Sequence, residues 1–201
     1  MCLFIETICY EKGRFQQLEL HNERLNLTRN HFYGSQPNLR LELFLSIPEY
    51  LKNEIVKCTV TYGSEIIGIE YNLYKIRPVN SLQMVIGEEI NYAYKYSDRT
   101  KLNSLYQLRN QCDDILIIKD GLITDTSYAN IILRQDDRWY SPLNPLLKGT
   151  RLSNYLLEER VTPALLRPED LSLFSEARII NAMISIENAP VIPIKNIQFS
   201  I

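Results

Sequence analysis

From Asp113 to Leu133 the chain reads DDILIIKDGLITDTSYANIIL, two runs rich in Ile, Leu and Thr on either side of a turn that carries Gly121. Branched side chains fit a pleated, half-buried surface, and glycine tolerates the positive backbone angle of a tight reversal, so the segment is read as strand, turn and strand. Asp125 and Asn130 stand at its far end, and a lone lysine, Lys95 in KYSDR, precedes it. Any fold for this chain has to place an acid and an amide on one rigid hairpin.

The flanking sequence supplies partners for such strands. Leu3 to Cys9 and Arg14 to Glu19 surround EKG, a glycine-bearing turn, and read as an N-terminal strand pair. His21 to Tyr33 reads as a helix stopped by Gly34, and Asn38 to Lys52 has apolar residues at helical spacing with Pro48 as a kink. Val56 to Tyr62, Ile66 to Ile76 and Leu82 to Ile86 read as further strands of the same sheet. Residues 1–88 are therefore expected to form an N-terminal α+β domain, with a boundary near Gly87 to Asn91.

A second domain is expected over residues 89–201. It should carry helices at Lys101 to Gln111 and Thr150 to Glu159, short strands near Ile115, Ile123, Ile131 and Trp139, and late strands at Arg178 to Ala182 and Val191 to Pro193. That mixture predicts a barrel or mixed sheet.

Composition narrows the function classes. With 201 residues, 45% hydrophobic content and a net charge of -2, the chain has neither the profile of a disordered segment nor a general attraction for nucleic acid or anionic lipid. Cys2, Cys9, Cys58 and Cys112 show no metal-ligand spacing and read as reduced thiols, so no metal site is expected. Neither a leader-like start nor an apolar run long enough for a membrane helix is evident, which points to a cytoplasmic protein.

Several residues could carry chemistry, each with a plainer alternative. Alternation through YAYKYS would put Tyr92, Tyr94 and Tyr96 on one face and Lys95 on the other; a buried lysine loses its proton easily and becomes a nucleophile, whereas a surface lysine is the commoner outcome. Asp125 could hold a protonated heterocycle nitrogen or cap a turn. Gly149 and Thr150 in LLKGTR sit at an expected helix start, where a phosphate or an ordinary cap would suit, and Arg24 could complete a phosphate site or lie solvated. Nothing of the form GxGxxG, HExxH, GxSxG or the Walker pattern is present.

In order, the segments FIETICYEKGRFQQLELHNERL, KYSDR, ITDTSYANIIL, SPLNPLLKGTR and INAMISI resemble the fold-type IV pyridoxal-phosphate enzymes, the class IV aminotransferases and aminodeoxychorismate lyases, over nearly the whole chain. The resemblance implies a small N-terminal α/β sandwich shortened at its leading edge, a larger barrel-like second domain, pyridoxal 5'-phosphate bound between them, and a homodimer. It implies Lys95 as the Schiff-base lysine and proton carrier, Asp125 as partner of the pyridine nitrogen, and Arg24 as a phosphate ligand. Gly149, Thr150 and the Asn181–Ala182 backbone would give further phosphate contacts, Asn130 would hold the Asp125 strand, and Arg99 would bind a substrate carboxylate. Position 125 is usually glutamate in the family, and Asp98 replaces an asparagine. The reaction expected is pyruvate elimination from a small amino substrate, 4-amino-4-deoxychorismate, giving 4-aminobenzoate. Transamination of an amino acid is the rival, and a cofactor-binding protein without catalysis is a third reading.

Overall fold

The computed structural model describes residues 2–199. They group into two compact units, residues 2–76 with 94–98, and residues 77–93 with 99–199.

In the first unit β1 (Phe4–Glu11) turns through Lys12 and Gly13 into β2 (Arg14–Phe15). Both turn residues have positive φ, 54° and 76°, and the mirror-image turn they make matches the twist of the strands it joins. Helix α1 (Leu18–Tyr33) ends at Gly34, again at positive φ, as the sequence predicts. Strands β3 (Val56–Tyr62) and β4 (Ile66–Leu73) complete an antiparallel sheet of order β2-β1-β3-β4. Phe4 lies opposite Tyr62, Glu6 opposite Val60 and Ile8 opposite Cys58. The inward register of β1 is thus Phe4, Glu6 and Ile8, all buried, and Leu25 of α1 packs into the same core.

Asn38 to Lys52 does not form the expected helix. Two single 3-10 turns, Leu41–Leu43 and Glu49–Leu51, replace it. Pro48 has no amide proton to give and pushes Ile47 out of helical geometry, and Leu41 and Leu51 are buried while Leu43 and Phe44 lie in solvent. The apolar spacing marked two separate anchors of an irregular segment.

The second unit contains β5 (Leu82–Ile86), α2 (Thr100–Tyr106), β6 (Asp114–Lys119), β7 (Leu122–Thr126), β8 (Asn130–Gln135), β9 (Arg138–Pro142), α3 (Thr150–Leu157), β10 (Thr162–Ala164), β11 (Glu176–Ile180), β12 (Val191–Pro193) and β13 (Ile197–Phe199). Its sheet runs β10-β9-β8-β7-β6-β5-β13, with β11 paired to β8 and β12 to β11. The β6–β7 hairpin closes through Asp120 and Gly121, at φ 52° and 70°, and β7 meets β8 at Asp125 opposite Asn130. Leu82–Ile86 differs from expectation: it pairs in parallel with β6 and β13, not with the strands of the first sheet. The buried cluster of Leu82, Leu116, Ile123, Ile131 and Ile179 forms the core here, each side chain contributing about 1.5–3 kcal/mol by leaving water. Among the described residues, no helix is long and apolar enough to cross a membrane. The architecture is α+β.

Candidate functional site

The residues singled out from the sequence fall into two clusters, one in each unit. In the first unit the segment holding Lys95 is drawn against the start of β1: Ile5 N–H donates to Lys95 O and Ser97 N–H to Leu3 O, each at 2.9 Å, and Tyr96 lies opposite Phe4. Tyr94 and Tyr96 both turn their rings to Phe4 and Phe32, so the expected alternation of tyrosines holds at these two positions, with the half-buried Lys95 between them. Tyr94 also stacks on His31 at 4.9 Å.

Beside it stands a charged triad. Arg24, on α1, donates from Nε to Glu6 Oε1 at 2.8 Å and from Nη2 to Glu6 Oε2 at 2.6 Å, a fork-on-fork pairing that fixes the guanidinium plane. His21 Nδ1 lies 2.5 Å from Glu6 Oε2. Glu6 and His21 are both completely buried, while 17% of the Arg24 side chain is exposed. Burial alone would push the Glu6 carboxyl up, but the Arg24 charge and the hydrogen bonds from His21 and Arg24 overcome it and hold the group down at about 2. Burial takes the His21 pKa down, against the pull of Glu6, and the charges of Arg24 and Lys95 lower it further. The ring is therefore neutral at pH 7 and donates from Nδ1. Lys95 and Arg24 belong to one electrostatic neighbourhood, built on a carboxylate that cannot easily be protonated.

The second cluster is a hydrogen-bond network centred on one acid and one amide side chain. Asp125 is buried and both of its oxygens accept: Oδ1 from Asn130 Nδ2 at 2.7 Å, and Oδ2 from the Leu147 amide at 2.9 Å. Asn130 Nδ2 also donates to Leu147 O at 2.8 Å, and Asn130 Oδ1 accepts from the Gly149 amide at 3.2 Å. Gly149 caps α3 and leads directly into the buried Thr150. Arg151, the next residue, donates to the carbonyls of Asn181 at 3.4 Å and Ala182 at 2.8 Å, and Asn181 Oδ1 accepts from the Met183 amide at 2.9 Å. Asp125, Asn130, Leu147 and Gly149 thus form one hydrogen-bonded group within the second unit, and Arg151, two residues beyond Gly149 and next to Thr150, ties the start of α3 to Asn181 and Ala182. Arg99 lies in that unit too, donating from Nη2 to Ser127 O at 2.7 Å.

Sequence reasoning missed Glu6, the role of His21, and Arg151. A signal existed for the first: Glu6 occupies the inward register between Phe4 and Ile8, where a carboxylate needs a partner. His21 and Arg24 stand one turn apart on α1, where both can reach the same group. The Arg151 contact to Asn181 and Ala182 spans thirty residues and left no local pattern.

Comparison with known proteins places this architecture. Residues 97–197 match the model of the amino-transferase class IV family. The chain is 38% identical over 180 residues, 89% of its length and 96% of the relative's, to an uncharacterized protein of Haemophilus influenzae Rd. Its fold is similar to a crystal structure of a candidate 4-amino-4-deoxychorismate lyase from Haemophilus somnus 129PT, with TM-score 0.87, 29% identity, and 92% of this chain and 98% of that one covered. It is also similar to a fold IV transaminase from Curtobacterium pusillum, with TM-score 0.74, 16% identity and 94% and 78% covered. A hypothetical aminotransferase of Mycobacterium tuberculosis in its pyridoxal-phosphate-bound form gives TM-score 0.75 at 14% identity, with 94% and 80% covered. The chain belongs to the class IV aminotransferase family of pyridoxal-phosphate-dependent enzymes.

Proposed function

We propose that this protein is a lyase that eliminates pyruvate from 4-amino-4-deoxychorismate to leave 4-aminobenzoate, working as a homodimer. The observation that carries the reading is the 29% identity to the candidate lyase of Haemophilus somnus, spread over almost the full length of both chains.

The donor set suits a phosphorylated carbonyl cofactor. Lys95 offers a primary amine, Arg24 a guanidinium braced by Glu6, and the first turn of α3 offers backbone amides that a helix cannot satisfy internally. Bound, pyridoxal phosphate supplies an electron sink for the pair left when a proton departs from the carbon beside the substrate nitrogen. Lys95 would hold the cofactor through its amine and, once the substrate's own amine has displaced it, accept that proton at Nζ. Arg24, Gly149 and Thr150 would hold the phosphate, with the backbone at Asn181 and Ala182. Asp125, fixed by Asn130 and the Leu147 amide, would present its carboxylate to the ring nitrogen and keep it protonated. Arg99, oriented by Ser127 O, would bind a substrate carboxylate through its remaining donors.

The test supplies 4-amino-4-deoxychorismate to cofactor-loaded protein with no 2-oxo acid. Equal amounts of pyruvate and 4-aminobenzoate are expected. The family match favours transamination as the rival; amino-group exchange with a 2-oxo acid, and no pyruvate from the first substrate, would establish that rival instead. Absence of both reactions in protein that binds the cofactor would leave a binding protein.

A further inference from the structure

We infer that Asp125 and Asn130 are positioning residues for the Leu147–Thr150 turn, so that the acid assigned to the ring nitrogen also sets the grip on the phosphate. The inference rests on the phosphate reading given above.

The turn is irregular backbone. Residues 143–149 form no strand or helix, and Pro142 and Pro145 lack amide protons. Three of its backbone groups, the Leu147 amide, the Leu147 carbonyl and the Gly149 amide, bond to just these two side chains. Asn130 has a single orientation that satisfies them. Its two Nδ2 protons go to Asp125 Oδ1 and Leu147 O, and its Oδ1 receives the Gly149 amide. Turning the amide over would set Nδ2 against the Gly149 N–H and Oδ1 against the Asp125 carboxylate, two repulsive contacts. Asp125 therefore fixes the sense of Asn130, and Asn130 fixes the height at which α3 begins.

The fit leaves no room for a side chain at the cap. A Cβ built on Gly149 would run into Asn130 Oδ1 far inside van der Waals contact, while the backbone there, at φ −67° and ψ 149°, is open to any residue. Glycine is required at 149 by Asn130, not by the backbone angles. A methyl group placed there pushes Asn130 off its partners and frees the turn.

The experiment titrates cofactor-free, full-length protein with pyridoxal phosphate and with pyridoxal, and takes the ratio of the two affinities as the measure of phosphate grip. Wild type should prefer the phosphorylated form. Asn130→Ala and Gly149→Ala should each reduce that preference by about tenfold, the scale of one well-made hydrogen bond to a bound ligand. In the double variant the second substitution should add almost nothing, because the clash disappears with the Asn130 side chain. Amide exchange at Leu147 and Gly149 should quicken in Asn130→Ala. Should that variant fold poorly, Gly149→Ala alone must still show the reduced preference.

A preference that stays at the wild-type value in both single variants, with only the melting temperature lowered, overturns the inference and leaves the functional reading standing. Fully additive losses also overturn it. Wild type that binds the two compounds equally overturns the phosphate reading, and this inference with it.

Discussion

Glu6 and Asp114 are both completely buried carboxylates, each facing an arginine, Arg24 at 2.6 Å and Arg77 at 2.8 Å, yet their proton affinities move in opposite directions. For both groups burial is the largest influence and raises the pKa. At Glu6 it is overcome, because Arg24 is largely shielded, pairs through two donors, and is joined by His21. At Asp114 it prevails: Arg77 reaches the carboxylate through a single donor with nearly half of its side chain, 47%, in water, and the other bonds come from neutral groups, the Ser127 hydroxyl and the Ile115 and Ser127 amides. A salt bridge seen as one distance does not say what it does; the exposure of the cation and the number of its own donors that reach the carboxylate decide it. The first device keeps a charge in the core next to Lys95 and Arg24. The second anchors the Ser127 turn that carries Asp125 towards Asn130.

Replacing one carboxylate in each device tests whether the two really differ. Glu6→Gln should have the largest effect, a loss of about 3 kcal/mol in unfolding free energy by urea titration, since it strands Arg24 beside a buried neutral group. A loss no greater than that of Asp114→Asn would end the distinction.

The pH dependence follows with the signs separated. Glu6 is depressed from 4.5 to about 2, so its contribution is present above pH 4.5 and drains away as the pH falls towards 2, on the order of 3 kcal/mol in all. His21 is depressed below 6.5, so the fold also weakens as the pH falls through that value, where the unfolded chain takes up the proton first. Asp114 runs the other way, because a raised folded-state pKa means that acid favours the fold through this group. Denaturant titrations from pH 7 to pH 3 should show a decline for wild type and a shallower one below pH 4.5 for Glu6→Gln. An unchanged slope in that variant contradicts the assignment.

Asp114→Asn should have the smallest effect, within about 1 kcal/mol of wild type at pH 7. Asparagine keeps an oxygen for the Ile115 and Ser127 amides, and Arg77 retains its hydration and its place over the Tyr128 ring at 5.1 Å. A thermal melt is enough to check it.

Much of this was legible in local sequence, and the reasons are specific. Gly121 and Gly13 marked hairpins because their turns need positive φ, and Gly34 marked the end of α1 for the same cause. The strand at Leu82–Ile86 was visible as a strand, but its parallel pairing with β6 depends on a crossover through α2, which no local pattern encodes. Asn38 to Lys52 misled because helical spacing records burial, and two buried anchors ten residues apart satisfy it without a helix. Among the candidate residues, Lys95 and Asp125 were singled out by their motifs, whereas Glu6 stayed hidden in a hydrophobic run until its alternation with Phe4 and Ile8 was considered. The hydrogen bonds from Asp125 and Asn130 to Leu147 and Gly149 cross some twenty residues and exist only once the sheet has formed.

The reading stands or falls with the proposal that the Lys95 amine, whose charge is felt at the buried His21, carries the cofactor. Borohydride reduction of the cofactor-loaded protein followed by peptide mass analysis tests it directly. A single pyridoxyl-phosphate adduct is expected on the peptide containing Lys95, absent from Lys95→Ala. An adduct on another lysine, or none in protein that had turned yellow with the cofactor, would contradict it.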